Sequence, residues 1–458
     1  MRSEPAVLVA EARGKHRRRP WAPAVGGDLK ARALQVAKEV AGRLRSRERL
    51  LAANRAAAAQ TRYPRTIYWE PFGIAQGDAG LALMCSYLDA CFPAEEWDSV
   101  GHDYLTWAVQ GAEDAGRPPL GLFAGLAGLA FAARALSRGG VRYRRLLDTL
   151  DAALCSAVLG PAGSLAGRHG LPVAEFDLIS GLSGVGAYLL GASRDPRRDV
   201  ALRAILGGMI ALTETADGVP HWYTPRHLMG DEAMAELYPE GNLNCGLAHG
   251  IPGPLALMAL ALEGGAAVDG LSTAAARTAD WIVRHRTADR FGLNWPTVVP
   301  RAPGGLVRPE LLDSSRAAWC YGTPGVARAL WLAGRALQDE ELCRLAVQGM
   351  EAVYRRPIPL RRIDSPTFCH GVAGLLQVTL RFAQDTGLAV FAAAAAALCE
   401  QLLTLYDPDR PLGFCCIEPE GNRVDQPGLL DGAPGVVLAL LAATTDVEPT
   451  WDRLFLLS

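Results

Sequence analysis

Residues 370–377 read HGVAGLLQ, residues 321–328 read YGTPGVAR and residues 249–256 read HGIPGPLA. Each is a small G-x-x-G element that runs straight into an apolar, Ala/Leu-rich stretch with a helical pattern. Four more copies complete the set: QGDAGLAL at Gln76, AGLAGLAF at Ala124, SGLSGVGA at Ser180 and DGAPGVVL at Asp431. The first glycines stand at 77, 125, 181, 250, 322, 371 and 432, so the unit recurs every 48 to 72 residues. One G-x-x-G is a weak signal, but seven of them, each opening a helical run, are an internal repeat. A period near about 50 residues holds two helices of ordinary length plus loops. The stretches 29–59, 143–158, 274–286, 339–354 and 391–405 supply the second helices, and few segments alternate like strands.

Seven helix pairs have apolar faces to bury on both sides. An open solenoid would need capping repeats, whereas closure into an all-α toroid, an α/α barrel of seven inner helices ringed by seven outer ones, needs none. The glycines then let the chain enter each inner helix where backbones crowd and a side chain would clash. The residues just before the first glycines are Gln76, Ala124, Ser180, His249, Tyr321, His370 and Asp431. In a closed ring they converge on one end of the central hole. Residues 26–458 are therefore expected to form a single toroid domain. The excursions 213–245 and 286–315 are read as long loops or small subdomains over the ring, and 1–25, with RGKHRRR at 13–19, as a disordered basic arm.

Composition agrees with a large folded core. Of 458 residues, 50% are hydrophobic and 21% charged, which excludes a disordered chain. Lys plus Arg is 46 against 48 for Asp plus Glu, which argues against a globally basic nucleic-acid binder. No apolar run approaches the roughly 18 residues that cross a bilayer, and the longest, 388–399, reads as a buried helix. The ten cysteines stand singly except for Cys415-Cys416, with no compact disulfide framework. No signal peptide is evident. A cytoplasmic location with reduced thiols is expected.

The chemistry is expected at the ring mouth. Cys320 and Cys369 precede the mouth positions of adjacent copies, and His370 occupies one. Two thiolates and an imidazole suit one zinc ion per chain, and three protein ligands leave a position open, the pattern of a catalytic site. Core burial is the plain alternative for each cysteine. Cys245 is the nearest candidate for a fourth ligand, with a buried loop-to-helix position as its other reading. His249 shares the repeat position of His370 and reads as a general acid/base or a group beside the zinc. Asp177, isolated between apolar neighbours, needs a partner if buried, and His249 is the candidate. Arg316 can meet developing negative charge, with a solvated side chain or a pair with Asp313 as alternatives. Asp431 and Gln76 read as helix-mouth caps. An open zinc position serves either an incoming thiol or an activated water.

The elements GLAHG (246–250), WCYG (319–322) and CHG (369–371), inside a G-x-x-G repeat of helices, resemble the lanthipeptide cyclases, the lanthionine synthetase C-like family. The resemblance spans roughly residues 65 to 458. It implies an α/α toroid, zinc at Cys320, Cys369 and His370, and catalytic roles for Asp177, His249, Arg316 and Tyr321. It also implies a reaction. A dehydratase partner converts Ser or Thr of a ribosomally made precursor peptide to dehydroalanine or dehydrobutyrine. A peptide cysteine thiolate then adds to the β-carbon and closes a lanthionine or methyllanthionine ring. A transporter is a further partner. No dehydratase or kinase region fits in this length, so a stand-alone cyclase of class I type is expected. Two rivals remain open: addition of glutathione or another thiol to dehydroamino acids, and a non-catalytic, zinc-stapled peptide-binding scaffold.

Overall fold

The computed structural model describes residues 19–191 and 195–458. The chain is mostly helical. Seven helices begin at the repeat glycines: Asp78–Cys91, Leu126–Ala135, Leu182–Leu190, Pro252–Glu263, Thr323–Leu337, Val372–Thr386 and Ala433–Thr444. Alanine and leucine favour the helix. Proline opens or nearly opens three of them (Pro252, Pro324, Pro434), where its missing N–H leaves no bond unmade. The last of the seven is buried on every residue. A helix apolar all round stays in water only inside a core.

These helices contact one another in chain order, and the seventh contacts the first. A second helix packs against each. For the first six it is the next long helix in sequence: Trp97–Ala115, Arg144–Ala157, Pro196–Leu212, Leu271–Arg284, Glu340–Arg355 and Ala389–Thr404. For the seventh it is the N-terminal helix Gly27–Arg43. The outer helices show one apolar face. Glu340–Arg355 buries Leu342, Leu345, Ala346, Gly349, Met350 and Val353 and leaves its acidic and basic residues outside.

Two details hold the inner helices in cyclic register. A Cβ on the second glycine of every copy would run into the carbonyl oxygen six residues upstream. At Gly325, for example, that oxygen belongs to Trp319, and the Leu247 Cβ of the preceding copy lies 2.8 Å away. The same relation joins Gly435 to Phe368 and, across the closure, Gly80 to Leu429. Backbone hydrogen bonds form a belt beside these contacts. Ala75 N donates to Phe123 O, Phe123 N to Ile179 O, Leu178 N to Ala248 O and Ala248 N to Cys320 O. Cys320 N donates to Cys369 O, Cys369 N to Leu430 O and Leu430 N back to Ala75 O. Nearly all of these groups sit two residues before a first glycine.

The middle of the ring is filled. Phe455 stacks on Phe368 at 3.9 Å, meets Trp319 edge-on at 4.9 Å and lies 5.7 Å from Phe123. Trp319 Nε1 donates to Phe455 O, and Arg328 Nε to Leu457 O. Burying each such aromatic contributes about 2–3 kcal/mol.

Several expectations need amendment. Of the arm expected over 1–25, residues 1–18 lie outside the described residues, but Trp21 and Val25 are buried. Trp21 Nε1 donates to Ala442 O at 2.9 Å, and Ala24 N to Ala443 O. A window average of composition had hidden one anchoring indole. The expected helix over 29–59 is two helices, because Ser46 caps a new one at Arg47 by accepting from Arg49 N. The alanine run at 388–399 is an outer helix buried along one face only, through Phe391, Ala395, Leu398, Cys399 and Leu402. One helical stretch, Arg144–Ser164, does have the length and composition to cross a membrane. It packs as an outer element of the ring, and its Asp151 is buried between Arg134 and Arg198.

The two excursions are not purely helical or loop. Asn242–Asn244 pairs antiparallel with Val298–Ala302, which pairs with Gly305–Leu306. The first excursion thus joins the second in one small sheet, which leads directly into the GLAHG element.

Candidate active site

The backbone belt decides which side chains meet. Because Cys320 N donates to Cys369 O at 3.2 Å, the two cysteines stand side by side on adjacent turns. His370 follows directly. The ligand atoms of Cys320, Cys369 and His370 all lie within 4.8 Å of one another. Gly322 makes the WCYG turn possible: its φ of +97° favours glycine, and a Cβ there would run into Arg316 O.

The donor set fits zinc. The Cys320 thiol shares a hydrogen bond with Cys369, and this together with burial pushes the Cys369 thiol well above its ordinary value. A buried thiol, a half-buried one and an imidazole are therefore arranged to exchange protons for a soft divalent cation. Cys245 does not join them. Its thiol donates to Leu243 O at 3.6 Å and is pushed up by burial.

A second group lies beside the first. Asp177 is 1% exposed, and its Oδ1 accepts from Ser180 N and Gly181 N, both at 2.8 Å. Its Oδ2 lies 2.7 Å from His249 Nδ1. With Nδ1–H donating to the carboxylate, Nε2 of His249 is left free, and the ring is 38% exposed. The pairing expected from sequence is present. Tyr321 stands between the two groups. Its ring centroid is 6.2 Å from that of His249, and its phenol is within electrostatic reach of Cys320, Cys369 and Asp177. Burial raises the phenol to about 12, so it is a hydrogen-bond donor at neutral pH.

A model of the family described as lanthionine synthetase C-like protein matches residues 68–456. The chain belongs to this family. The matched region contains all seven G-x-x-G copies, from Gly77 to Gly432. The nisin biosynthesis protein NisC of Lactococcus lactis subsp. lactis is 25% identical over 395 residues, covering 84% of this chain and 88% of that protein. A solved structure named nisin cyclase aligns with a TM-score of 0.72 at 24% identity, covering 88% of this chain and 96% of that one. That likeness speaks for a shared fold.

Arg316 is exposed, and among the described residues its guanidinium has no ion pair with Asp313; its charge instead opposes the rise at Cys369. Two residues, Gln76 and Asp431, read differently in the structure of this lanthionine synthetase C-like protein. Gln76 caps no helix. Its side chain clamps the preceding segment, donating to Thr66 O and accepting from Tyr68 N. Asp431 caps no helix either, and its carboxylate faces His370. Sequence reasoning missed Asn244. Its Nδ2 donates to Tyr321 Oη at 3.1 Å, and its Oδ1 accepts from Gly246 N. The signal was a pair of asparagines in an otherwise apolar GNLNCGLAHG.

Proposed function

We propose that this protein is a zinc-dependent lanthipeptide cyclase built on a toroid of seven inner and seven outer helices. Membership of the lanthionine synthetase C-like family supports the reading. The observation that carries it is the convergence of Cys320, Cys369 and His370 beside the Asp177–His249 pair and Tyr321. The inner-helix contacts, which run from each copy to the next and from the seventh to the first, support the toroid.

Cys320, Cys369 and His370 would hold one zinc ion, which, when bound, favours the thiolate of a peptide cysteine near neutral pH. The chain's own residues do the rest. Tyr321, fixed by Asn244, and Arg316 offer a hydrogen bond and a positive charge where the enolate develops. His249 Nε2 is the proton carrier, with Asp177 fixing its tautomer. In the net reaction the thiol S–H adds across the C=C bond of the dehydro residue. A C–S bond forms at Cβ, and a proton arrives at Cα. The substrate is a dehydrated precursor peptide. A dehydratase supplies it, a transporter is a further partner, and the setting is cytoplasmic.

The test uses the purified chain loaded with zinc and a synthetic peptide carrying one dehydroalanine and one cysteine. Cyclisation does not change the mass, so thiol alkylation reads it. The reading expects the alkylatable thiol to disappear only with enzyme present. A thiol that persists, with zinc bound and the peptide in excess, overturns it.

A further inference from the structure

The chemistry above leaves a carboxylate at the mouth without a role. Asp431 holds the position just before the first glycine in the seventh copy, as His370 does in the sixth. Its Oδ1 lies 3.6 Å from His370 Nδ1. That oxygen is shut off from solvent and accepts no hydrogen bond among the described residues. Its own helix begins at Ala433 with Gly432 before it and no side-chain cap. The belt explains the placement, because Cys369 N donates to Leu430 O at 3.0 Å and sets His370 and Asp431 in register. A buried carboxylate oxygen without a donor is costly. The imidazole of a candidate metal ligand lies close enough to supply one.

We infer that Asp431 is the positioning residue of His370. Its Oδ1 takes the Nδ1–H, which fixes the tautomer, orients the ring and leaves Nε2 as the ligand atom. An imidazole that binds a metal through one nitrogen commonly gives its other N–H to a carboxylate, which raises its basicity and holds the ring still. The mouth then carries two carboxylate–imidazole pairs with different tasks. Asp177 directs a proton carrier, and Asp431 directs a ligand. The inference rests on the zinc reading of the Cys320, Cys369 and His370 cluster.

The test is zinc affinity by competition with a chromogenic chelator, for wild type, Asp431→Ala, Asp431→Asn and Cys369→Ala. Thermal unfolding of the metal-free proteins runs alongside. The inference expects Asp431→Ala to bind zinc about 10- to 100-fold more weakly. Asp431→Asn, which keeps an acceptor oxygen, is expected to recover part of that loss. In the cobalt-substituted proteins the ligand-field bands of Asp431→Ala are expected to shift from wild type. Asp431→Ala affinity within about twofold of wild type, with unshifted bands, overturns the positioning role while leaving the zinc site standing. Zinc binding by neither wild type nor Cys369→Ala overturns the metal reading and this inference with it. If Asp431→Ala fails to fold, Asp431→Asn decides alone: wild-type affinity and wild-type bands in a variant without the charge overturn the inference.

Discussion

Asp177 divides its carboxylate between two tasks: Oδ2 holds His249 Nδ1 at 2.7 Å, and Oδ1 closes its own turn through Ser180 N and Gly181 N. The two residues of the pair are therefore not equivalent. His249→Ala removes a partly exposed ring and is expected to cost under about 1 kcal/mol of stability. Asp177→Ala takes the acceptor from Ser180 N and from the buried Gly181 N and is expected to cost about 2–3 kcal/mol. Both are expected to slow cyclisation by about a hundred- to ten-thousand-fold. Urea unfolding and single-turnover rates check this. A His249→Ala variant that cyclises at the wild-type rate refutes the proton-carrier role.

The cysteine pair predicts a metal-dependent signature. Wild type is expected to hold about one zinc per chain by atomic emission, and Cys369→Ala to lose most of it, since two remaining donors make a poor site. Prolonged chelation is expected to lower the melting temperature of wild type and to leave Cys369→Ala unchanged, because only a state that binds the metal is stabilised by it. Equal zinc content in the two proteins would refute the site.

Two glycines give opposite signs for one substitution. Gly325→Ala places a Cβ against Trp319 O and Leu247 and is expected to destabilise by about 2–3 kcal/mol or more. Gly207→Ala falls on an outer helix with nothing within 4 Å. There alanine is expected to stabilise by about 0.5–1 kcal/mol through helix preference alone. Denaturant midpoints read both, and a loss of stability in Gly207→Ala would refute the open-space argument.

Acid sensitivity follows from Arg328 and Asp385. Arg328 is 2% exposed and donates to Asp385 Oδ2 at 2.6 Å, where Trp331 Nε1 donates as well. Burial alone would raise the Asp385 carboxyl, but the Arg328 guanidinium, helped by Arg335 and Arg381, outweighs it and holds the carboxyl below its ordinary value. A folded value below the unfolded one, about 3.9, means a contribution fully present above that pH. It fades as pH falls through the lower folded value. Asp385→Asn strands a buried cation and is expected to cost about 3–5 kcal/mol at pH 7. It is also expected to remove this part of the acid dependence, which unfolding curves from pH 7 down to pH 3 would show.

Much of this architecture was legible in the seven G-x-x-G elements, because each glycine answers a steric demand that recurs at every joint. The candidate cysteine and histidine ligands were legible for the same reason: equivalent repeat positions become neighbours once the ring forms. What escaped lay outside the period. Asn244 fixes Tyr321 from an inter-repeat excursion, and no spacing rule marks a residue in a non-repeating strand. Trp21 was hidden by the basic, Pro-rich composition around it. Asp431 was placed at the right position but given the wrong partner. An aspartate before a helix suggests a cap, and only the register between neighbouring turns shows that it faces His370.

The bond from Trp21 to Ala442 joins residues 421 positions apart. A ribosome adding about 5–20 residues per second takes roughly 20–80 s to cover that distance. For that interval the outer helix Gly27–Arg43 has been made, but the inner helix it covers does not yet exist. Each inner helix likewise emerges before its later neighbour, with apolar surface bare on one side. The belt of backbone hydrogen bonds cannot join up until Leu430 is available. Closure is thus a late event in the life of the nascent chain, and its long wait is a window for chaperone capture or aggregation that an open array of the same helices would not face.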